Sequence, residues 1–372
     1  MGHYVVRRLL QAIPLIFIIS VVLYALVNLA PGGPLAGRGT SKRLNPEQIA
    51  ILKRQFGLDK PVCVRYVYWL IGNDWTKLVE EIPKPRVGVL APIIQCLDPR
   101  SYWLSESPGV GKGVLRGDFG NSYRTRKPVL DSIKTSFKNS AYLMSITLVV
   151  VAIIAIPVGV ISAVKQYSIF DILVTTLSFI GQAIPEFWLG LILILIFYVW
   201  LKNPITGDSL LPPGGMNSQG LDISLVNWFK SPIDWTRHLL LPVTMGVVGW
   251  VTWYSRFLRS SMLDVIHQDF VRTARAKGLT MNKVYFKHAL RNALLPLVTI
   301  FALDLPFIFA GSLYVEILFS WPGMGRLYYQ AAIDRDYPML MAILTILTLI
   351  VILSNLLADI VYARLDPRIH YD

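Results

Sequence analysis

Residues 140–164 read SAYLMSITLVVVAIIAIPVGVISAV, a run of 25 residues without one charged side chain. A helix needs about 20 apolar residues to cross the hydrocarbon core of a bilayer. Five further runs of this kind lie around it, at 9–30, 172–201, 239–258, 293–319 and 337–361. Backbone N–H and C=O groups cannot stay unpaired in lipid, so each run must be a helix or part of a closed barrel. The runs are too long and too continuously apolar for barrel strands. The sequence therefore predicts an all-α polytopic membrane protein with six transmembrane helices and a long polar segment, 31–138, after the first.

Composition agrees. Of 372 residues, 54% are hydrophobic and 16% charged, where soluble domains carry about a quarter. The net charge of +13 is unevenly placed. Residues 31–138 hold 18 Lys/Arg against 9 Asp/Glu, and the rest of the chain holds 18 against 14. In a soluble protein such a basic balance suggests nucleic acid. Beside apolar spans it points instead to a membrane surface or an acidic partner. The two cysteines, Cys63 and Cys96, have no metal-ligand spacing and are too few for a disulfide framework. They are equally compatible with one bridge and with two thiols. The five histidines show no metal spacing either. Gly109-Val110-Gly111-Lys112-Gly113 lacks the first glycine and the Ser/Thr of a phosphate loop. No nucleophile and base stand at a catalytic spacing, so an enzyme is not expected.

Basic residues in short loops set the orientation. Arg7 and Arg8 place the N-terminus in the cytoplasm, and six spans return the C-terminus there. The loop 256–291, with eight Lys/Arg against Asp264 and Asp269, falls on the same side. Segment 31–138 then falls outside; long loops translocate largely regardless of charge. The run 9–30 exceeds a secretory signal's apolar region and reads as a retained signal-anchor helix. Three parts are expected: an N-terminal transmembrane helix (1–30), an extracytoplasmic insert (31–138) and a five-helix core (139–372). Within the insert, 46–57 reads as a short amphipathic helix, while 74–113 is rich in Pro and Gly.

Between the fourth and fifth spans stands DFVRTARAKGLTMNKVYFKHALRNALLP, residues 269–296. The pattern predicts one helix over 264–277, Gly278 in the left-handed position that ends it, and a second helix over 281–292 capped by Thr280. Phe270 with Ala274, and Met281 with Tyr285, give small apolar faces beside basic ones. Such an element docks into a soluble partner or lies on anionic lipid. Charges inside the spans are costly and mark a cavity or a partner. Asp304, mid-span by count, is expected to line the pore or an interface with another transmembrane subunit. Glu186 after Pro185 marks a possible helix break. Glu316, Asp359 and Arg256, nearer helix ends, are expected at the membrane interface.

The order of residues narrows the choice. Val271-Arg272-Thr273-Ala274-Arg275-Ala276-Lys277-Gly278, then His288-Ala289-Leu290-Arg291-Asn292-Ala293 and Leu295-Pro296, resembles the cytoplasmic loop of ABC-transporter permeases. The nearest likeness is to the dipeptide/oligopeptide/nickel importer family, first permease subunit type. Importer permeases more generally carry Glu-Ala-Ala with a glycine three residues on; Arg272-Thr273-Ala274 stands in that place here. Further matches run in order along the chain: Ala30-Pro31-Gly32-Gly33-Pro34, Phe56-Gly57-Leu58-Asp59-Lys60-Pro61, Arg116-Gly117-Asp118-Phe119-Gly120, Phe319-Ser320-Trp321-Pro322-Gly323, Arg335-Asp336-Tyr337-Pro338 and Leu365-Asp366-Pro367-Arg368. Residues 74–113 depart from the pattern as an insertion.

The resemblance implies a type I importer permease fold in a prokaryotic plasma (inner) membrane, forming half of a pathway for peptides or related small solutes. It implies a second homologous permease subunit, two cytoplasmic ATPase subunits that bind ATP and Mg, and an extracytoplasmic substrate-binding protein, with no nucleic acid and no cofactor in this chain. It assigns ATPase coupling to Arg272, Thr273, Ala274, Arg275, Ala276, Lys277, Gly278, His288 and Arg291, and leaves Asp304 and Glu186 as pathway candidates. The rival reading is a secondary transporter driven by an ion gradient. That class often shows inverted repeats, and no repeat is visible.

Overall fold

The computed structural model describes residues 2–29, 60–72, 111–204, 207–218 and 225–365, with a few isolated positions between them. The expected helix 46–57 and the insertion 74–113 lie almost wholly outside these. Among the described residues the secondary structure is helical, with no strand beyond isolated bridges. Two compact units can be distinguished: Met1–Arg8 with Ser136–Arg326 and Ile350–Asp372, and Leu9–Thr135 with Leu327–Leu349.

The long apolar runs are helices. α1 covers Gly2–Leu29, α2 Val62–Ile71 and α3 Val129–Val164. Pro14 in α1 and Pro157 in α3 leave helical hydrogen bonds unmade, which transmembrane helices tolerate. Side chains such as Leu10, Ile13 and Phe17 are more than half exposed. On a spanning helix that is the lipid-facing side.

The third run is broken where Pro185 stands. α4 (Ile169–Ala183) and α5 (Glu186–Ile194) meet at 97°. The proline ring disfavours helical dihedrals in the residue before it, and Ile184 is extended at φ −76°, ψ 123°. α5 then widens into a π-helix over Leu195–Trp200.

The fourth run lies inside one 35-residue helix, α7 (Pro232–Ile266), preceded by the short α6 (Leu225–Lys230). By length and composition, four described helices are apolar enough to cross a membrane, and five if the bent pair counts as one span. α7 is long enough but is not among them, because Trp, Tyr and Arg residues dilute its apolar run.

The fifth run is one apolar stretch within Met281–Leu318, yet it is not one helix. α9 (Leu290–Leu303) stops at Asp304, α10 (Leu305–Ala310) stops at Gly311, and α11 (Leu313–Leu318) completes it. The expected span over 293–319 is present as an apolar run, carried by three helical segments instead of one. Pro306 has no N–H to continue the ladder, and Gly311 takes φ 73°, a conformation open to glycine. α12 (Met324–Ile333) and α13 (Tyr337–Leu365) end the described chain.

In the first unit α7 is central. It packs on α9, α4 and α5, and Leu143, Met245, Tyr254, Leu258, Met262 and Trp321 are buried in one cluster around it. The second unit has its own framework. Tyr24, Tyr66 and Trp69 pack ring on ring at 5.3–5.9 Å. Buried Asp336 takes the Ser122 hydroxyl and the Tyr123 amide at 3.0 Å, fixing the turn after Asn121. Cys63, on α2, is disulfide-bonded. Cys96, the other cysteine of the chain, lies outside the described residues.

Candidate functional site

α7 ends at Ile266, and the chain then turns at His267–Gln268 before α8 (Asp269–Ala276) begins. The expected single helix over 264–277 is corrected: Gln268 is extended at φ −75°, ψ 154°. Both sides of the turn feed the same buried cluster, through Met262 and Val265 before it and Val271 and Ala274 after it. That shared burial, rather than a local breaker residue, accounts for the bend.

Lys277 caps α8 and Gly278 follows with φ 74°, the left-handed geometry expected of it. A side chain there would meet no atom within 4 Å, so the conformation alone makes the position one for glycine. Thr280 sits at the next N-cap position, but its side chain makes no capping hydrogen bond, contrary to expectation. The segment beyond it is one turn (Met281–Lys283), a π-helix (Val284–Ala289) and then α9 without interruption. The expected end at 292 is therefore absent. The change from polar to apolar composition at Ala293 marks a change of surroundings, not of backbone.

The loop is two-faced. Val271, Ala274, Val284 and Ala289 are buried. Arg272, Thr273, Arg275, Ala276, Lys277, Gly278 and Arg291 are exposed, and His288 is half-buried. Of the nine residues expected to couple, Ala274 thus faces inward and anchors the helix. Among them stand exposed apolar side chains: Phe270, Met281 and Phe286. Of the expected apolar pair, Ala274 is buried and Phe270 is exposed. Arg275 lies over the Tyr285 ring at 5.8 Å, a cation–π contact that joins the two arms. The Arg272–Asp269 pair at 3.5 Å is fully in solvent and contributes little.

A clamp holds the end of α7 from which this loop hangs. Arg259 donates through Nε and Nη2 to the two oxygens of Asp171, each at 2.7 Å. Asp171 is buried and also takes the Ser162 hydroxyl and the Tyr167 amide. The bidentate fork fixes direction as well as distance. The partners are 88 residues apart in the chain, so no local spacing points to them.

The pathway candidates lie at helix breaks. Asp304 caps α9, and its Oδ2 accepts from Tyr254 Oη at 2.5 Å. Glu186 opens α5 as its first residue. No hydrogen bond joins Asp304 to Glu186. Of the three charges expected at the interface, Glu316 is corrected: it is fully buried. Arg256 stacks on Phe179 at 4.5 Å and donates to Gln182 at 2.9 Å. Asp359 pairs with Arg8 at 3.2 Å.

Comparison with known proteins completes the description. The family model for the binding-protein-dependent transport system inner membrane component matches residues 155–371, and that for the N-terminal part of such membrane components matches 1–88. The oligopeptide transport system permease protein AppB of Bacillus subtilis (strain 168) is 36% identical over 372 residues, covering 100% of both chains. The dipeptide transport system permease protein DppB of Escherichia coli (strain K12) is 32% identical over 381 residues, covering 100% of this chain and 99% of that one. A solved structure titled for inward-facing conformations of the MetNI methionine ABC transporter overlaps 64% of this chain and 97% of its own. It does so at 18% identity and a TM-score of 0.48. The two arms of the loop lie inside the first family match, and both relatives align from end to end. The chain belongs to the binding-protein-dependent transport system inner membrane components, as a permease subunit of an ABC importer rather than its ATPase.

Proposed function

We propose that this permease carries short peptides and forms half of the pathway, with a second homologous permease subunit as the other half. Two cytoplasmic ATPase subunits, binding ATP and Mg, dock on the 264–291 loop, and an extracytoplasmic protein delivers the solute. The N- and C-termini are cytoplasmic, six spans cross the membrane, and residues 31–138 face outward. Arg272, Thr273, Arg275, Ala276, Lys277, Gly278, His288 and Arg291 form or shape the docking face, and Ala274 seats it on the core. Asp304 and Glu186 line the pathway.

The observation that carries this reading is the loop itself. Its exposed side mixes Phe270, Met281 and Phe286 with six basic residues, while its buried side is continuous with the core around α7. An element packed on the transmembrane helices, with apolar side chains among basic ones toward water, is suited to take up a partner's motion and pass it on. ATP binding shifts the pore only through contacts that differ between its two states, and this loop supplies them. Peptide selectivity rests on the end-to-end likeness to the oligopeptide and dipeptide permeases.

Topology is checked with single cysteines at Ser41 and Thr280 in a background with Cys63 and Cys96 replaced by serine. An impermeant thiol reagent is expected to label Ser41→Cys in intact cells and Thr280→Cys only in inverted vesicles. Labelling of both from one side contradicts the six-span arrangement.

A further inference from the structure

Asp304 stands where the fifth apolar run stops and restarts as helix. α9, 14 residues long, ends against it, so the partial negative charge of that helix's C-terminal carbonyls is directed there. Pro306 cannot donate to the Ala302 carbonyl as a continuing helix would require. The carboxylate is partly exposed. Its Oδ2 accepts from the Tyr254 hydroxyl. Among the described residues it has no ion pair, although the chain is strongly basic.

Aromatic rings pack around Tyr254, the partner of this carboxylate. Tyr254 stacks on Phe301 with centroids 4.2 Å apart and rings nearly parallel. Trp250, one turn earlier on α7, stacks on Tyr254 at 5.7 Å and meets Phe307 edge-on at 5.8 Å. Trp250 and Phe301 are half-buried, and Phe307 is exposed. A carboxylate, a helix C-terminus and several π faces all attract positive charge. A hard inorganic cation requires about six oxygen ligands, and ring faces supply none. An organic ammonium pairs with a carboxylate oxygen and packs against π faces, and the N–H donors that remain are met by water or by the solute's own carbonyls.

We infer that Asp304, with Tyr254 and the faces of Trp250, Phe301 and Phe307, forms a site for the ammonium group of the transported solute, the N-terminal ammonium of a short peptide. This rests on the reading of the chain as a peptide permease with Asp304 on its pathway. Tyr254 is a positioning residue, holding one carboxylate oxygen so that the other faces the solute. The site lies in the permease itself, so selection for a free N-terminus is made after the solute leaves its delivery protein.

The test uses the complete transporter in proteoliposomes, with trialanine as probe. Uptake by the wild-type complex is measured first. Leu303→Cys then places a thiol on the exposed neighbour of Asp304, and its modification by N-ethylmaleimide is followed. Trialanine is expected to slow that modification by roughly fivefold or more, and N-acetyltrialanine to leave it unchanged. Adding Asp304→Asn is expected to remove the protection, and Asp304→Glu to keep most of it. Equal protection by the two peptides, protection by sodium chloride alone, or no protection in a complex that transports trialanine overturns the inference. A wild-type complex that takes up no peptide overturns the peptide reading, and the inference with it.

Discussion

Gly278→Val is expected to leave the protein in the membrane and to cut solute uptake roughly tenfold or more. Gly278 has φ 74°, where a side chain costs about 1–2 kcal/mol and a β-branched one the most. No neighbouring atom obstructs a new Cβ, so the loop relieves the strain by turning its own backbone rather than by unpacking the core. That rotation changes the angle between α8 and the Met281 arm and separates Arg275 from Tyr285. Coupling free energies between sites are typically about 1–3 kcal/mol, so misplacing the docking face is expected to cost roughly tenfold or more in ATP-driven uptake. The ATPase subunits are expected to co-purify less well, while membrane content of the variant stays near wild type. Normal uptake with the ATPases still bound contradicts this role for the loop. Gly278→Ala is expected to fall between, because its strain is smaller.

Glu316→Ala is expected to be the most destabilising single change at a charged position in the first unit. The side chain is fully buried. Its Oε1 accepts the Ser140 hydroxyl at 2.6 Å and its Oε2 the Arg326 amide at 3.1 Å. Added Cβ atoms at Gly311 and Gly323 would strike this carboxylate, which explains small residues on both sides of it. Around it the Ser140 hydroxyl accepts from the Met324 amide at 2.7 Å. Asn139 donates to the Pro322 carbonyl at 2.9 Å, and Trp321 Nε1 donates to the Asn139 carbonyl at 3.0 Å. Glu316 thus ties segment 320–326 to α3. Truncation leaves the Ser140 hydroxyl and the Arg326 amide without their acceptor, each costing about 1–3 kcal/mol. The expected loss is about 3 kcal/mol or more, read as a lower unfolding midpoint in detergent. Glu316→Gln keeps one acceptor and is expected to lose less. A variant as stable as wild type, with Ala equal to Gln, contradicts the account of this clamp.

Much of this was legible in the sequence, and for a physical reason. Lipid forces helices, and helices that cross it need long apolar runs, so 140–164 could be read directly. Gly278 was legible because a left-handed position at a helix end leaves few alternatives. The break at Ile184–Pro185 carried its own signal in the proline. The break at Asp304 carried one too, in Pro306, but the unbroken apolarity of 293–319 outweighed it. Composition reports the surrounding solvent and is silent on backbone continuity. Glu316 was misplaced because distance from a helix end says nothing about which glycines fold over it. Arg259–Asp171 and Tyr254–Asp304 bring together residues 88 and 50 positions apart. Such pairs leave no trace in local spacing. The bend at His267–Gln268 arises from burial of Val265 and Val271 in one cluster, a tertiary cause that overrides a locally helical pattern.

The central claim is that the exposed face of residues 264–291 seats an ATPase subunit and not merely the lipid surface. A benzophenone amino acid in place of Phe270, exposed on α8, tests it in the assembled transporter in native membranes. Irradiation is expected to give a covalent adduct between this chain and an ATPase subunit, at a yield that changes when ATP is bound. Adducts to lipid alone, with the ATPases present and uptake intact, would contradict the claim.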